Sequence, residues 1–233
     1  MAAVLLPVKE FDRAKRRLAG FLSPPERALL ARAMFDDAWE VLREAVGRQQ
    51  ALLRQGFRGQ ALERLLVVSA EPYVIARCRA EGVACLEEKA SSTHSDSVRR
   101  ATHWAMGLGV TSLLSVPIDT PAMTAEELLT LLELARRYSV VIVPSADGSG
   151  TNALLRTPPD AIAPRFGPGS CRLHIEEAER NGLDWLVHRS PGLLADIDTL
   201  EDVEAFLSME RKGRTWALLQ QWAGARSKVA AWQ

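Results

Sequence analysis

"TSLLSVPIDTPAMTAEELLTLLELARRYSVVIVP", residues 111–144, decides the fold. Two short apolar runs, 111–117 and 139–144, flank a segment at 124–138 whose leucines recur at helical spacing. Runs of this length, apolar on both faces and rich in Val and Leu, are the pattern of strands buried inside a parallel sheet. The stretch therefore predicts strand, helix, strand, with a right-handed crossover.

The same alternation extends toward the N-terminus. Further apolar runs lie at 3–8, 65–69 and 83–87, and helical patterns at 23–46, 71–82 and 94–109. The helix at 23–46 opens with Ser23, two prolines and Glu26, the arrangement of a capping box with proline at the first helical positions. Beyond residue 145 the rhythm changes to a glycine loop, a short strand "NALLR" (152–156), a proline-rich stretch (157–170) and a helix (170–182). A segment "DWLVHRSPGLLADIDTLEDVEAFL" (184–207) and a helical end (214–233) follow. The prediction is one α/β domain with an open parallel sheet and helices on both faces.

With 233 residues, 47% of them hydrophobic, the chain can bury a full core, and its 29 basic residues balance 29 acidic ones. No global field draws it to nucleic acid or an anionic membrane, so any phosphate site is local. Cys78, Cys85 and Cys171 lack the spacing of a metal knuckle or a CxxC pair and read as reduced thiols. "MAAVLLPVKEF" reaches Lys9 too soon for a signal peptide, and no run approaches the roughly 20 apolar residues of a membrane span. The expected setting is soluble and cytoplasmic.

In parallel sheets ligands collect at the carboxyl ends of strands. Asp119 lies just past the 111–117 run, where the alternative is a turn-forming aspartate. Asp196 and Asp198 are two apart and, if extended, project from one side; two adjacent carboxylates repel unless a cation sits between them. With Asp119 they suit Mg²⁺, although Asp198 or Thr199 could instead cap the helix that follows. In "RFGPGSCRLH", Gly167 and Gly169 form a tight turn, Ser170 starts a helix and His174 follows one turn later. Free N–H groups at a helix start favour an anion, whereas a lone histidine there suggests a surface residue. Lys15 and Arg17 sit on a short helical turn beside the end of the first strand, placed to neutralise phosphates or simply to form a solvated basic face. "SADGSGTNALLRTPP" (145–159) places Thr151 after a glycine turn that Asp147 shapes. No serine nucleophile elbow, His-rich zinc pattern or GxGxxG follows the first strand.

Taken in order, "LPVKEFDRAKRRL", the mid-chain aspartate, "DGSGTNALLRTPP", "RFGPGSCRLH" and "DIDTLEDV" resemble the CofC/FbiD family of guanylyltransferases in deazaflavin coenzyme F-420 biosynthesis, over residues 4–207. The resemblance implies a single-domain nucleotidyltransferase-like fold (Rossmann-like, GT-A-type) with a mixed, mostly parallel sheet over residues 1–210, and 211–233 as a helical tail packed on it. It implies a reaction of GTP with a small phosphorylated carboxylic acid that releases pyrophosphate, with no nucleic-acid or membrane partner. It places the acceptor at Thr151, Gly167, Gly169, Ser170 and His174, and Mg²⁺ at Asp119, Asp196 and Asp198. Lys15, Arg17 and Asp119 are the implied catalytic positions; Pro7, Lys9, Lys15, Ser69 and Asp96 are the implied nucleotide contacts. "STHSDSVRRA" departs from the family pattern: relatives carry an asparagine near the place of Asp96, which could accept from guanine N–H groups or repel a phosphate. A sugar-phosphate nucleotidyltransferase or glycosyltransferase and a non-catalytic nucleotide-binding protein are the competing classes. Trp216, Trp222 and Trp232 in the tail would cover either a homodimer surface or the domain's own flank.

Overall fold

The computed structural model describes residues 1–56, 61–89, 92–209 and 213–230, the last six by backbone alone. β1 (Ala2–Val8) leads through two 3-10 turns, Phe11–Arg13 and Arg16–Gly20, into the long α1 (Pro24–Arg54). There follow β2 (Leu62–Ser69), α2 (Pro72–Glu81), β3 (Ala84–Glu87), α3 (His94–Gly107), β4 (Ser112–Ser115) and α4 (Ala125–Leu134). The second half holds β5 (Val140–Pro144), β6 (Thr151–Arg156), α5 (Ser170–Arg180), β7 (Trp185–Val187), α6 (Pro191–Leu194), α7 (Leu200–Ser208) and α8 (Arg214–Ala230).

The strands form one sheet in the order β3-β2-β1-β4-β6-β5-β7. β1, β2, β3 and β4 pair in parallel, as do β5 and β7. β6 runs antiparallel between β4 and β5. The sheet is thus mixed and mostly parallel.

Alternation along each strand divides the core into two layers. In β1, Ala2, Val4, Leu6 and Val8 face the layer of α1, α2, α4, α7 and α8, whereas Ala3 and Leu5 face α3. In β5, Val141 and Val143 join the first layer, and Val140 and Ile142 pack with Cys171 and Ala178 of α5. Burial on both faces is why β1 is apolar along its whole length.

Helix starts follow local chemistry. Ser23 and Glu26 cap α1, Thr124 and Glu127 cap α4, and Thr199 and Asp202 cap α7. Because Thr199 and Asp202 do this work, Asp198 is not consumed as a cap. α8 lies on α1: Asp37 accepts from the backbone N–H groups of Arg214 (2.8 Å) and Thr215 (2.8 Å). Trp216 and Trp222 pack against the main core, on the domain's own flank; Trp232 lies outside the described residues.

Candidate active site

A cleft of about 590 Å³ opens at the carboxyl ends of the parallel strands. Its walls include Arg17, Asp119, Thr151, Gly167, Asp196 and Asp198. Because β6 runs antiparallel, its first residue, Thr151, arrives at the same rim as the carboxyl ends of β4 and β5. Another concavity, about 430 Å³, lies among α1, the loop before α4 and Phe206, and shares none of the cleft's lining residues.

The acidic wall is assembled by backbone and amide contacts. The Ile197 N–H donates to the Asp119 carbonyl (3.0 Å), which ties the "DID" segment to the loop after β4. Asn152 donates from Nδ2 to the Leu193 carbonyl (2.8 Å) and to Asp196 Oδ1 (3.1 Å). The Lys15 ammonium then donates to Asp119 (2.8 Å) and Asp198 (2.9 Å), and Arg17 reaches the other oxygen of Asp198 (3.2 Å). Lys15 has a left-handed backbone (φ 52°) between the two 3-10 turns, not the helical turn its sequence suggests, and its side chain is only 5% exposed.

The protonation states follow from this packing. Burial disfavours the Lys15 ammonium, yet the Asp119 and Asp198 charges outweigh it and raise its pKa. Burial likewise pushes the Asp119 carboxyl up, and Lys15 overcomes it, leaving that pKa low. Asp196 has no such ammonium: burial, with the Asp119 and Asp198 charges, raises its pKa against the opposing Asn152 bond.

The opposite wall is the "FGPGS" turn. Gly167 (φ +129°) and Gly169 (φ +70°) take conformations that side chains resist, which explains glycine at both positions. Ser95 of α3 accepts from the Phe166 N–H (2.9 Å), fastening the turn to α3. The Phe166 ring packs edge-on between His94 (4.8 Å) and His174 (5.7 Å). His94 also lines the cleft, and burial pushes its pKa down to about 4.

Behind the turn lies a correction to the sequence expectation. Ser170 and His174 were expected to touch a ligand directly, with His174 alternatively at the surface; both are fully buried. The Phe166 turn and β6 cover them. Ser170 Oγ donates to Thr151 Oγ1 (3.1 Å), His174 Nδ1 also bonds Thr151 Oγ1 (3.1 Å), and the Arg165 N–H donates to His174 Nε2 (2.9 Å). Thr151 is the member of this set that lines the cleft.

Not all expected nucleotide contacts gather there. Pro7 lines a small recess beside the cleft with His94 and Ser115. The Lys9 ammonium is engaged by Glu88 (3.1 Å), Ser92 (3.1 Å) and Ser97. Ser69 is fully buried, donating to the Val8 carbonyl (2.9 Å) and accepting from the Glu71 N–H (3.0 Å). Asp96 accepts from Thr93 Oγ1 (2.7 Å) and pairs with Arg99 (2.6 Å) in the first turn of α3. Asp147 accepts from Ser145 Oγ, Ser149 N–H and Ser149 Oγ, so it shapes the β5–β6 turn.

The model of CofC-like guanylyl transferases matches residues 2–220, and that match decides the assignment. The chain belongs to the CofC-like guanylyl transferase family. It is 36% identical over 214 residues to a phosphoenolpyruvate guanylyltransferase of Conexibacter woesei, covering 90% of this chain and 89% of that one. It is 32% identical over 199 residues to a 2-phospho-L-lactate guanylyltransferase of Methanothermobacter thermautotrophicus, covering 85% and 81%. In structure it matches a protein of Desulfovibrio desulfuricans G20 assigned to the nucleotide-diphospho-sugar transferases, at TM-score 0.71, 17% identity and 94% of each chain. The fold is that of the nucleotide-handling transferases.

The sequence motifs do not single out His94, Ser95, Asn152 or Phe166, all of which line or brace this cleft. Asn152 carried a signal, being a polar side chain inside the apolar run "NALLR". Among the described residues no helix is long and apolar enough to cross a membrane.

Proposed function

We propose that this chain joins GMP from GTP to a small phosphorylated carboxylic acid, phosphoenolpyruvate, 2-phospholactate or 3-phosphoglycerate, releasing pyrophosphate in coenzyme F-420 biosynthesis in the cytoplasm. The observation that carries the reading is the facing of two walls across one cleft: Asp119, Asp196 and Asp198 with Lys15 and Arg17 on one side, Thr151 and the Gly167 turn on the other.

An acceptor phosphate oxygen is already anionic near neutral pH, so its attack on the α-phosphorus of GTP needs alignment and charge neutralisation more than a strong base. Lys15 and Arg17 supply positive charge beside the acidic wall for the departing pyrophosphate. Thr151 and the Gly167 turn hold the acid, and Pro7, in the recess beside the cleft, lies on the nucleotide side. The proposed cofactor is Mg²⁺, held by Asp119, Asp196 and Asp198. Its support is chemical: these are hard oxygen donors, and the raised Asp196 carboxyl marks negative charge that Lys15 leaves unrelieved. Among the described residues no three His, Cys, Asp or Glu side chains are grouped as a ready metal site, so the ion would rest on fewer protein ligands at a time, and Mg²⁺ characteristically uses few carboxylates with water and phosphate oxygens. When bound, the ion would draw the two anionic reactants together and offset charge on the leaving group.

The test is pyrophosphate release with GTP against a panel of phosphoenolpyruvate, 2-phospholactate, 3-phosphoglycerate and sugar 1-phosphates. Turnover confined to sugar phosphates, or GTP binding without turnover, refutes the proposal in favour of one of the two competing classes.

A further inference from the structure

The position of the proton on Thr151 can be worked out from its neighbours. The Arg165 backbone N–H can only donate, so His174 Nε2 must be the unprotonated ring nitrogen. A neutral imidazole then carries its proton on Nδ1, and burial keeps this ring neutral by pushing its pKa down to about 4. Nδ1–H therefore donates to Thr151 Oγ1 (3.1 Å). Ser170 Oγ donates to the same oxygen (3.1 Å), and since Ser170 has no exposed surface, reversing this bond would strand its own proton in the core. A threonine hydroxyl has two acceptor lone pairs and one donor proton. Both lone pairs are occupied from behind, and the open side of Thr151 is the cleft.

We infer that His174 is a positioning residue: together with Ser170 it fills both lone pairs of Thr151 Oγ1 and thereby turns the Thr151 proton into the cleft, as a donor for an anionic oxygen of the acceptor. That the oxygen belongs to a phosphorylated acid rests on the function proposed above; the direction of the proton does not. The arrangement discriminates by chemistry, since a carboxylate or phosphate oxygen at this point accepts the bond, whereas a sugar hydroxyl must turn its lone pair to it and offers no charge.

Two measurements on the full chain test this. Long-range ¹H–¹⁵N correlation at pH 7 should show His174 protonated on Nδ1 and bare on Nε2; an Nε2–H tautomer overturns the inference, whatever the enzyme's substrate. In steady-state kinetics with phosphoenolpyruvate varied at saturating GTP, Thr151→Val and His174→Phe should each raise the KM for the acid about tenfold or more, the loss expected for one charge-assisted bond, with a smaller change in kcat. The double variant should be no weaker than Thr151→Val alone, because His174 acts only through that hydroxyl. His174→Asn, whose amide N–H₂ can stand in for Nδ1–H, should recover most of the loss, and it serves also if His174→Phe does not fold. Losses that multiply in the double variant overturn the positioning role. If wild-type enzyme turns over none of the phosphorylated acids, the proposed acceptor is wrong, and the tautomer alone decides the direction of the proton.

Discussion

Acidification should destabilise this protein through His174. The ring is fully buried, and burial, together with the Arg156 and Arg165 charges and against Glu177, lowers its pKa from 6.5 to about 4. Protonation would also set Nε2–H against the Arg165 N–H that now donates to it. Between these two pKa values the unfolded chain binds a proton that the folded chain refuses, so stability rises with pH in that window. The contribution is fully present above pH 6.5 and is lost as pH falls through about 4. At about 1.4 kcal/mol per pKa unit it amounts to about 3 kcal/mol in total, and about 2 kcal/mol of it is gone by pH 5. A domain with 5–15 kcal/mol in hand would register that as a clear drop, roughly a fifth or more of its stability. Urea unfolding of wild type and His174→Asn at pH 7, 6, 5 and 4.5 measures it. The wild-type curve should fall toward that of the variant as pH drops, while His94, present in both, cancels in the difference. Parallel pH profiles would falsify the assignment of a buried neutral ring.

Three further outcomes concern the acidic wall and the lysine paired to it. Asp196→Asn should abolish pyrophosphate release with an unchanged or slightly higher thermal midpoint, because it removes a carboxyl that burial and two neighbouring carboxylates already disfavour; retained turnover would remove Asp196 from the site. Lys15→Ala should lose activity and about 1–2 kcal/mol of stability, less than a fully buried pair because Asp119 and Asp198 keep 31% and 33% of their side-chain surface exposed. Lys15→Gly should be about 1 kcal/mol more stable than Lys15→Ala in denaturant titration, since glycine adopts φ 52° without strain.

The sheet was legible because its central strands are buried on both faces, which writes short Val/Leu runs such as 139–144 into the chain. Strand order was less so: nothing in "NALLR" says that β6 inserts antiparallel between β4 and β5. β7 escaped notice because its three residues, Trp185–Val187, are too few for any period to show. Helix phase placed Ser170 and His174 together correctly, but phase does not reveal what covers a face, and here the Phe166 turn folds back over them. Asp96 did carry a local signal: Thr93-x-x-Asp96 has the spacing of a helix cap, which the structure uses.

The antiparallel course of β6 has a consequence for how this chain can vary. The turn at 145–150 delivers two strand ends, Pro144 and Thr151, to one rim, with Asp147 and Gly150 fixing its shape; a Cβ at Gly150 would meet Ser145 Oγ at 2.9 Å. Successive residues of a strand face opposite ways, so a one-residue slip of β6 between its two neighbours would withdraw the Thr151 hydroxyl and present a neighbour instead. Exposed positions of the hairpin can drift in identity, but the pairings that hold β6 in register guard the site as surely as a catalytic side chain does.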